Sequence, residues 1–305
     1  MWSILLNSNT GWVLLSTMTL GVAAGIVGCL TYWKRQNLMS DALSHATLPG
    51  VVISFLFIGE KNSILLLLGA AISALIGALL IQWITTSSRI SEDSSMGMIL
   101  SVFYGLGVML LSIANKSAGG NQSGLNSFIY GQAASMVMSD VITMFLLALL
   151  VIFIMVIGFK EWKIYIFDPQ FAKGIGLSLK GMNVFYTAVL VTTIVIGIQA
   201  VGVILMAAMM ITPAVSARYW THSFKIMVLL AAAFGGISGA VGTLISAIGS
   251  GLPTGAFIVL VASGLFFISL IFGKEKGILI HYLQFKMQQR VHLESTETLE
   301  TEGGR

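Results

Sequence analysis

Long runs of apolar residues, separated by short polar breaks, occupy most of this chain. A helix that crosses a lipid bilayer needs about 20 mainly apolar residues. Nine runs approach that length, so we predict nine membrane-spanning helices. The sixth and seventh are short and are joined only by "QAVG", which leaves eight spans as an alternative. The predicted spans are 12–33, 40–58, 64–86, 96–114, 138–159, 183–199, 202–217, 226–248 and 254–273.

The composition agrees with this pattern. Hydrophobic residues make up 56% of the 305 residues and charged residues only 9%, whereas about a quarter of a soluble protein is charged. The 33 glycines also fit, because small residues let membrane helices approach closely. We therefore predict an all-α, polytopic membrane helical bundle over 1–273. The polar, acidic end of the chain predicts a cytoplasmic tail over 274–305 that is partly disordered.

The basic residues predict an orientation. If the N-terminus lies outside, nine spans place fourteen lysines and arginines in inner segments and two, Lys61 and Lys116, in outer segments. Basic residues favour the cytoplasmic side, so we expect the N-terminus outside and the C-terminus in the cytoplasm. The inner set is Lys34, Arg35, Arg89, Lys160, Lys163, Lys173, Lys180, Arg218, Lys225, Lys274, Lys276, Lys286, Arg290 and Arg305.

Several catalytic patterns are absent from the sequence. It contains no phosphate-binding loop of the form G-x-x-x-x-G-K-[ST], no nucleophile elbow and no H-E-x-x-H motif. The single cysteine, Cys29, excludes a disulfide framework within the chain. An ATPase or hydrolase site in this chain is therefore not expected, and any energy comes from a gradient or from another subunit.

The stretch "SDALSHATLPG" (40–50) places an acid and an imidazole in an apolar setting. Asp41 and His45 are four residues apart, so a helix puts them on one face. A carboxylate and an imidazole together suit a divalent ion such as Mn²⁺ or Zn²⁺. Pro49 has no N–H and frees the carbonyl of residue 45, which predicts a cavity-lining position. Alternatively, Asp41 caps the helix and His45 bonds to a neighbouring helix.

Pro213 lies inside another apolar run and frees the carbonyl of Met209. The break is either a hinge on a transport pathway or an ordinary membrane-helix kink. We interpret Met206, Met209 and Met210 as packing residues rather than soft ligands. Among the other polar residues, Asp140 is interpreted as a helix cap or interfacial residue, and His222 as solvated.

The segment 167–182 predicts a short helix at the inner surface. Asp168 is expected at its N-cap and Pro169 at its first position. Phe171, Ile175 and Leu179 recur every four residues as an apolar stripe, and Gly174 lies between them. Such a helix either lies on the membrane surface or docks another protein.

Three stretches resemble the zinc/manganese ABC permease family. "DALSHATLPGVVISFLF" (41–57) is similar to its signature, and "QAVGVILMAAMMITPAVSARYWT" (199–221) to its Gln-Ala-Val-Gly helix. "FDPQFAKGIGL" (167–177) resembles the cytoplasmic loop that contacts the ATPase. The resemblance covers about 12–273. Leu252 departs from it, standing where we expect a polar or acidic residue before the proline.

The resemblance implies a fold similar to the importers of vitamin B12 and iron-siderophore complexes. It implies a homodimer with two cytoplasmic ABC ATPases that hold ATP, no permanently bound cofactor, and an extracytoplasmic metal-binding lipoprotein that delivers Mn²⁺, Zn²⁺ or Fe²⁺ at a bacterial cell membrane. Asp41 and His45 then contact the metal, and Asp168, Pro169, Phe171, Gly174 and Ile175 form the ATPase coupling helix. The rival hypothesis is a gradient-driven metal transporter. Such carriers often have paired halves, and the sequence shows no such symmetry.

Overall fold

The structure is a computed structural model and describes residues 8–58, 63–117, 131, 133, 136–248, 252–275 and 277–280. None of these residues forms a β-strand. The helices in these ranges are α1 (Ser8–Trp33), α2 (Met39–Ile58), α3 (Ser63–Ser87), α4 (Glu92–Ser117), α5 (Met138–Ile157), α6 (Phe159–Phe167), α7 (Pro169–Gly174), α8 (Leu179–Val201), α9 (Val203–Arg218), α10 (Phe224–Ile248) and α11 (Thr254–Phe272).

Each of the nine predicted spans corresponds to one of these helices. In the described part of the chain, eight helices are long and apolar enough to cross a membrane. The ninth, α9, has 16 residues and is a shorter apolar helix. Gly202 separates α8 from α9 with φ of +92°, a conformation that glycine adopts without steric penalty. The eight-span and nine-span counts therefore differ only in how α9 is treated.

Helix α1 lies at the centre of the bundle and packs most extensively against α10. Glycines make this close approach possible. A Cβ atom added at Gly21 would overlap the carbonyl of Gly235, and one added at Gly239 would overlap the carbonyl of Thr17. The Thr17 hydroxyl also lies 2.8 Å from the Thr243 hydroxyl. Backbones that pack this tightly gain dispersion energy and hydrogen bonds where no hydrophobic effect operates.

Two short helices, α6 and α7, connect α5 to α8. Trp162 of α6 is buried and stacks on Phe185 of α8, with ring centroids 5.6 Å apart and an interplanar angle of 4°. Tyr165, also in α6, contacts Lys34 in the turn between α1 and α2. These contacts join α6 to the same ends of α1 and α8, so the connecting segment is held against the bundle.

Parts of the predictions lie outside the described residues. They include most of the segment between the fourth and fifth predicted spans, and the predicted tail from 281 onward. Within the described residues, the His222 side chain is 57% exposed, as a solvated residue would be, and its Nε2 lies 2.9 Å from Glu275 Oε2. This contact joins segments far apart in the sequence: the turn after α9 and the residues after α11.

Candidate functional site

Helix α2, which carries the predicted site, is held by small residues on α3 and α4. A Cβ atom added at Gly77 of α3 would lie 2.9 Å from Ala46 Cβ. One added at Gly107 of α4 would lie 2.7 Å from Leu48 Cβ and 3.3 Å from Pro49 Cδ. Ser73 of α3 donates a hydrogen bond to the Ala46 carbonyl, 2.6 Å away. This packing fixes the rotation of α2.

Asp41 and His45 lie on one face of α2, close to each other. His45 Nε2 is 3.5 Å from Asp41 Oδ1, which is longer than an ordinary N–H···O bond. The side chains are 15% exposed for His45 and 35% exposed for Asp41. The predicted helical pairing is confirmed. Both groups are reachable from outside the single chain without being locked to each other.

His45 has an unused ring nitrogen. Its Nδ1 is buried and has no hydrogen-bond partner within the described residues. The Tyr104 ring of α4 lies edge-on to the imidazole, with centroids 5.0 Å apart and an interplanar angle of 78°. This contact with the neighbouring helix is aromatic rather than a hydrogen bond. The sequence did not predict the contact of Tyr104 with His45, because no local pattern links α4 to α2.

The distance between His45 Nε2 and Asp41 Oδ1 can be compared with the spacing that a shared ion would need. A zinc-sized ion about 2.1 Å from an imidazole nitrogen and a carboxylate oxygen, at a tetrahedral angle, separates them by about 3.4 Å. The observed 3.5 Å matches that spacing. Among the described residues, no group of three or more histidine, cysteine, aspartate or glutamate side chains could hold a metal. An ion held between Asp41 and His45 would therefore need further ligands.

The two prolines predicted to interrupt membrane helices, Pro49 and Pro213, lie inside helices, as predicted. Pro49 is within α2 and leaves the carbonyl of His45 without its usual helical donor. Pro213 is buried within α9. Ser216 bonds to the carbonyl of Thr212, at 2.7 Å, rather than to the carbonyl that Pro213 frees. The roles of the two breaks in transport stay predictions.

The predicted helix over 167–182 is wrong in its length. Helix α7 ends at Gly174, and Gly176 has φ of +88°. A new helix then begins with Ser178 as its cap, since the Ser178 hydroxyl accepts a hydrogen bond from the N–H of Gly181 at 3.2 Å. Leu179 therefore belongs to α8, and the apolar stripe is interrupted by a left-handed glycine and a helix cap.

The predicted N-cap of α7 is confirmed. Asp168 Oδ1 accepts a hydrogen bond from the N–H of Phe171 at 2.9 Å, and Pro169 occupies the first turn. Phe171 is 54% exposed and Ile175 is 52% exposed. Two large apolar side chains are thus exposed, one on a short, capped helix and one on the residue that follows it. Asp140, by contrast, is in the first turn of α5 without capping it, and accepts a hydrogen bond from Ser63 at 3.1 Å.

The ABC 3 transport family model matches residues 7–273. The chain belongs to this family. It is therefore a membrane protein and a transport component rather than an enzyme. The assignment agrees with the resemblance that the sequence predicted and covers all nine predicted spans.

Named relatives share most of the chain. It is 43% identical over 278 residues to the manganese transport system membrane protein MntC of Bacillus subtilis (strain 168), which covers 91% of this chain and 64% of that protein. The chain thus spans just under two thirds of that relative. It is 42% identical to the zinc transport system membrane protein TroC of Treponema pallidum (strain Nichols), which covers 88% of this chain and 90% of that protein.

Solved structures share the fold. The structure of PsaBC from Streptococcus pneumoniae in complex with Fab superposes with a TM-score of 0.79 at 28% identity, covering 93% of this chain and 97% of that chain. An inward-facing metal-chelate type ABC transporter superposes with a TM-score of 0.62 at 15% identity, covering 85% of this chain, which shows the fold alone. The predicted likeness to ABC importer permeases is confirmed.

Proposed function

We propose that this chain is the membrane-spanning permease of an ATP-driven importer of a divalent transition metal, Mn²⁺ or Zn²⁺, with Fe²⁺ as a third candidate. The observation that carries the proposal is the Asp41–His45 pair, with its 3.5 Å spacing and partial exposure on a membrane helix. An ionisable pair inside a membrane span is costly to keep unless it serves transport. The named functions of the relatives, manganese and zinc transport, support the same substrate class.

A second copy of the chain would complete the site. Helix α4, whose Tyr104 contacts His45, carries Gly97, Ser101 and Gly105, which are four residues apart and so lie on one face. A Cβ atom added at Gly97 or at Gly105 would meet no atom within 4 Å. Small residues at this spacing are typical of helix–helix contacts in membranes. A homodimer joined near this face doubles the ligands to two carboxylates and two imidazoles.

The proposed importer has further partners on each side of the membrane: two ABC ATPases inside and a metal-binding lipoprotein outside. With the N-terminus outside, α7 faces the cytoplasm, where Phe171 and Ile175 dock one of two ABC ATPases that bind ATP. The ion arrives from an extracytoplasmic metal-binding lipoprotein. It exchanges hydration water for Asp41 and His45, and leaves inward because two ligands per chain bind it weakly enough for release. Pro49 and Pro213 are the candidate flexible points of the pathway.

Metal uptake tests the site. Asp41→Ala and His45→Ala should each abolish uptake of radioactive Mn²⁺ or Zn²⁺ by cells expressing the whole system, because one ligand cannot offset the cost of dehydrating the ion. Asp93→Ala is the matched control, since Asp93 is an exposed carboxylate at the start of α4. The amount of assembled membrane complex is quantified for every variant. Near-normal uptake by an assembled Asp41 or His45 variant would overturn the proposed site.

ATPase binding tests α7. Phe171→Asp and Ile175→Asp together should weaken ATPase association by roughly tenfold or more, because two unpaired charges would enter an apolar interface. Gln170→Asp adds a charge to an exposed neighbour on the same helix and should leave association nearly unchanged. Co-purification measures both variants. Undiminished association of the double variant would contradict docking at α7, and uptake without any ATPase would favour a gradient-driven carrier.

A further inference from the structure

A cavity at one end of the bundle is lined by neither Asp41 nor His45. It has a volume of about 530 Å³ and is formed by the end of α1, the α1–α2 turn, α3, α6, the start of α7 and the start of α8. Three cations, Lys34, Arg35 and Lys180, line it. No aspartate or glutamate is among its described lining residues. The cavity is therefore a concave basic surface next to the segment that we propose docks the ATPase.

The polar lining groups are chiefly donors. Lys34 Nζ donates to Tyr165 OH at 3.1 Å and to Asn183 Oδ1 at 2.9 Å. Tyr165 OH also lies within hydrogen-bond distance of Asn183 Oδ1, at 3.1 Å. Since both contacts use the amide oxygen of Asn183, its NH₂ group is left to donate. Gln82 adds a further amide to the lining.

Among the described residues, no carboxylate makes direct contact with Lys34 in this wall. Lys34 sits over the Tyr186 ring, 4.1 Å from the centroid. Burial lowers the pKa of Lys34 to about 8, an effect that the more distant charge of Glu92 opposes. Glu92 is engaged with Gln36, which donates to its carboxylate. An anion in the cavity would replace the hydration that Lys34 has lost.

The neighbouring acid is also engaged elsewhere. Asp168 precedes Pro169, which lines the cavity, but its carboxylate accepts the N–H of Phe171. Arg35, two residues after the last residue of α1, is the one described non-glycine residue with positive φ, at 60°. Its N–H bonds to the carbonyl of Tyr32 at 3.1 Å, and Gln36 bonds to Thr31 at 3.0 Å, as in a Schellman C-cap, where glycine is usual.

The rest of the lining is apolar and lies at the membrane boundary. Trp33 is the last residue of α1 and Leu179 is the first residue of α8, and both helices are long enough to span a membrane. Ile166 of α6 also lines the cavity. A site with donors and cations beside apolar side chains at this depth matches a lipid headgroup joined to its acyl chains. Basic pockets between membrane helices on the cytoplasmic side bind anionic headgroups.

We propose that this cavity binds the phosphate of an anionic phospholipid from the inner leaflet, such as phosphatidylglycerol, with Arg35 and Lys180 as exposed phosphate-binding groups. Lys34, Tyr165 and Asn183 form the fixed wall behind them. The bound lipid would hold the α1–α2 turn against α6 and the start of α7. It would therefore stabilise the connection between the segment that precedes Asp41 and the segment proposed to dock the ATPase.

Native mass spectrometry of the full-length chain tests this site. The purified protein is titrated with phosphatidylglycerol or phosphatidylcholine of identical acyl chains. We expect preferential binding of phosphatidylglycerol, reduced by roughly tenfold to thirtyfold in the double variant R35Q/K180Q. The matched control K163Q/K225Q removes two other exposed inner lysines and should keep the preference. R35K/K180R substitutes the same two positions but keeps both charges, so it should bind phosphatidylglycerol as the unaltered protein does. Its binding would show that the loss in R35Q/K180Q comes from the missing charges and not from poor folding.

Three results would overturn the proposal. The first is equal binding of the two lipids by the unaltered protein. The second is equal loss of binding in R35Q/K180Q and in K163Q/K225Q, which would indicate attraction to the inner surface as a whole. The third is saturable binding of inorganic phosphate, measured by calorimetry, without any lipid preference, which would assign the cavity to a soluble anion. Because lipid binding is measured without transport, failure here is distinct from failure of the proposed import function.

Discussion

The same kind of residue packs in opposite ways in two parts of this bundle. Between α1 and α10, Gly21 and Gly235 face each other so closely that a Cβ atom at either would overlap the other's carbonyl. On α4, a Cβ atom at Gly97 or Gly105 would meet nothing within 4 Å. We call these regions the closed seam (Gly21, Gly235) and the open face (Gly97, Gly105). Both contain glycine, but only the closed seam is filled by the chain itself.

The difference shows what glycine spacing means in a membrane helix. Small residues allow close approach, but they do not say which helix approaches. At the closed seam the approaching backbone belongs to the same chain. At the open face, on the helix whose Tyr104 contacts His45, we propose that the approaching backbone belongs to a second copy. Three sets of substitutions test the difference between the closed seam and the open face, from the largest expected effect to the smallest.

Filling the closed seam should have the largest effect. Gly235→Val places a side chain against the backbone of α1, where neither helix can move aside without separating. We expect destabilisation of about 3 kcal/mol or more and loss of folded protein, measured as monodisperse yield and thermal midpoint in detergent. Gly264→Val on α11 is the control, because a Cβ atom there meets nothing within 4 Å. Equal stability of the two variants would contradict the packing of α1 against α10.

Filling the open face should leave the single chain folded but separate the dimer. Gly105→Leu introduces a large side chain into empty space within one chain, so the thermal midpoint should change little. The same side chain would obstruct the proposed partner, and we expect the dimeric mass measured by light scattering to fall to the monomer, with loss of uptake. Gly264→Leu serves as the matched control. A dimer that survives Gly105→Leu would place the interface elsewhere.

Replacing glycine by alanine should give the smallest effect and the sharpest contrast. At Gly97 alanine removes backbone freedom from the unfolded chain and raises helix propensity, which stabilises the folded chain by up to about 1 kcal/mol. At Gly21 the same change overlaps the Gly235 carbonyl and should destabilise. Opposite signs of the change in thermal midpoint are the expected result. Equal signs would remove the distinction between the closed seam and the open face.

The spans were predictable because each depends on a local property, the number of consecutive apolar residues. The start of α8 was missed by four residues, since "LKGM" at 179–182 is polar enough to resemble a loop but is helical once Ser178 caps it. The contact of Tyr104 with His45 and the pairing of His222 with Glu275 were missed entirely. Each joins residues more than fifty positions apart, and no spacing rule within one element connects them.

The sequence by itself determined that Asp41 and His45 are neighbours, because a helix brings residues four apart to one face whatever surrounds it. It also determined the capped start of α7, since Asp168 and Pro169 act on the N–H groups next to them. Only the tertiary structure decided that this pair stays partly exposed and that His45 lies against Tyr104, because the position of α2 is set by Gly77 on α3 and Gly107 on α4. Side-chain spacing along a helix is a local matter, whereas the face that remains open depends on every helix packed against it.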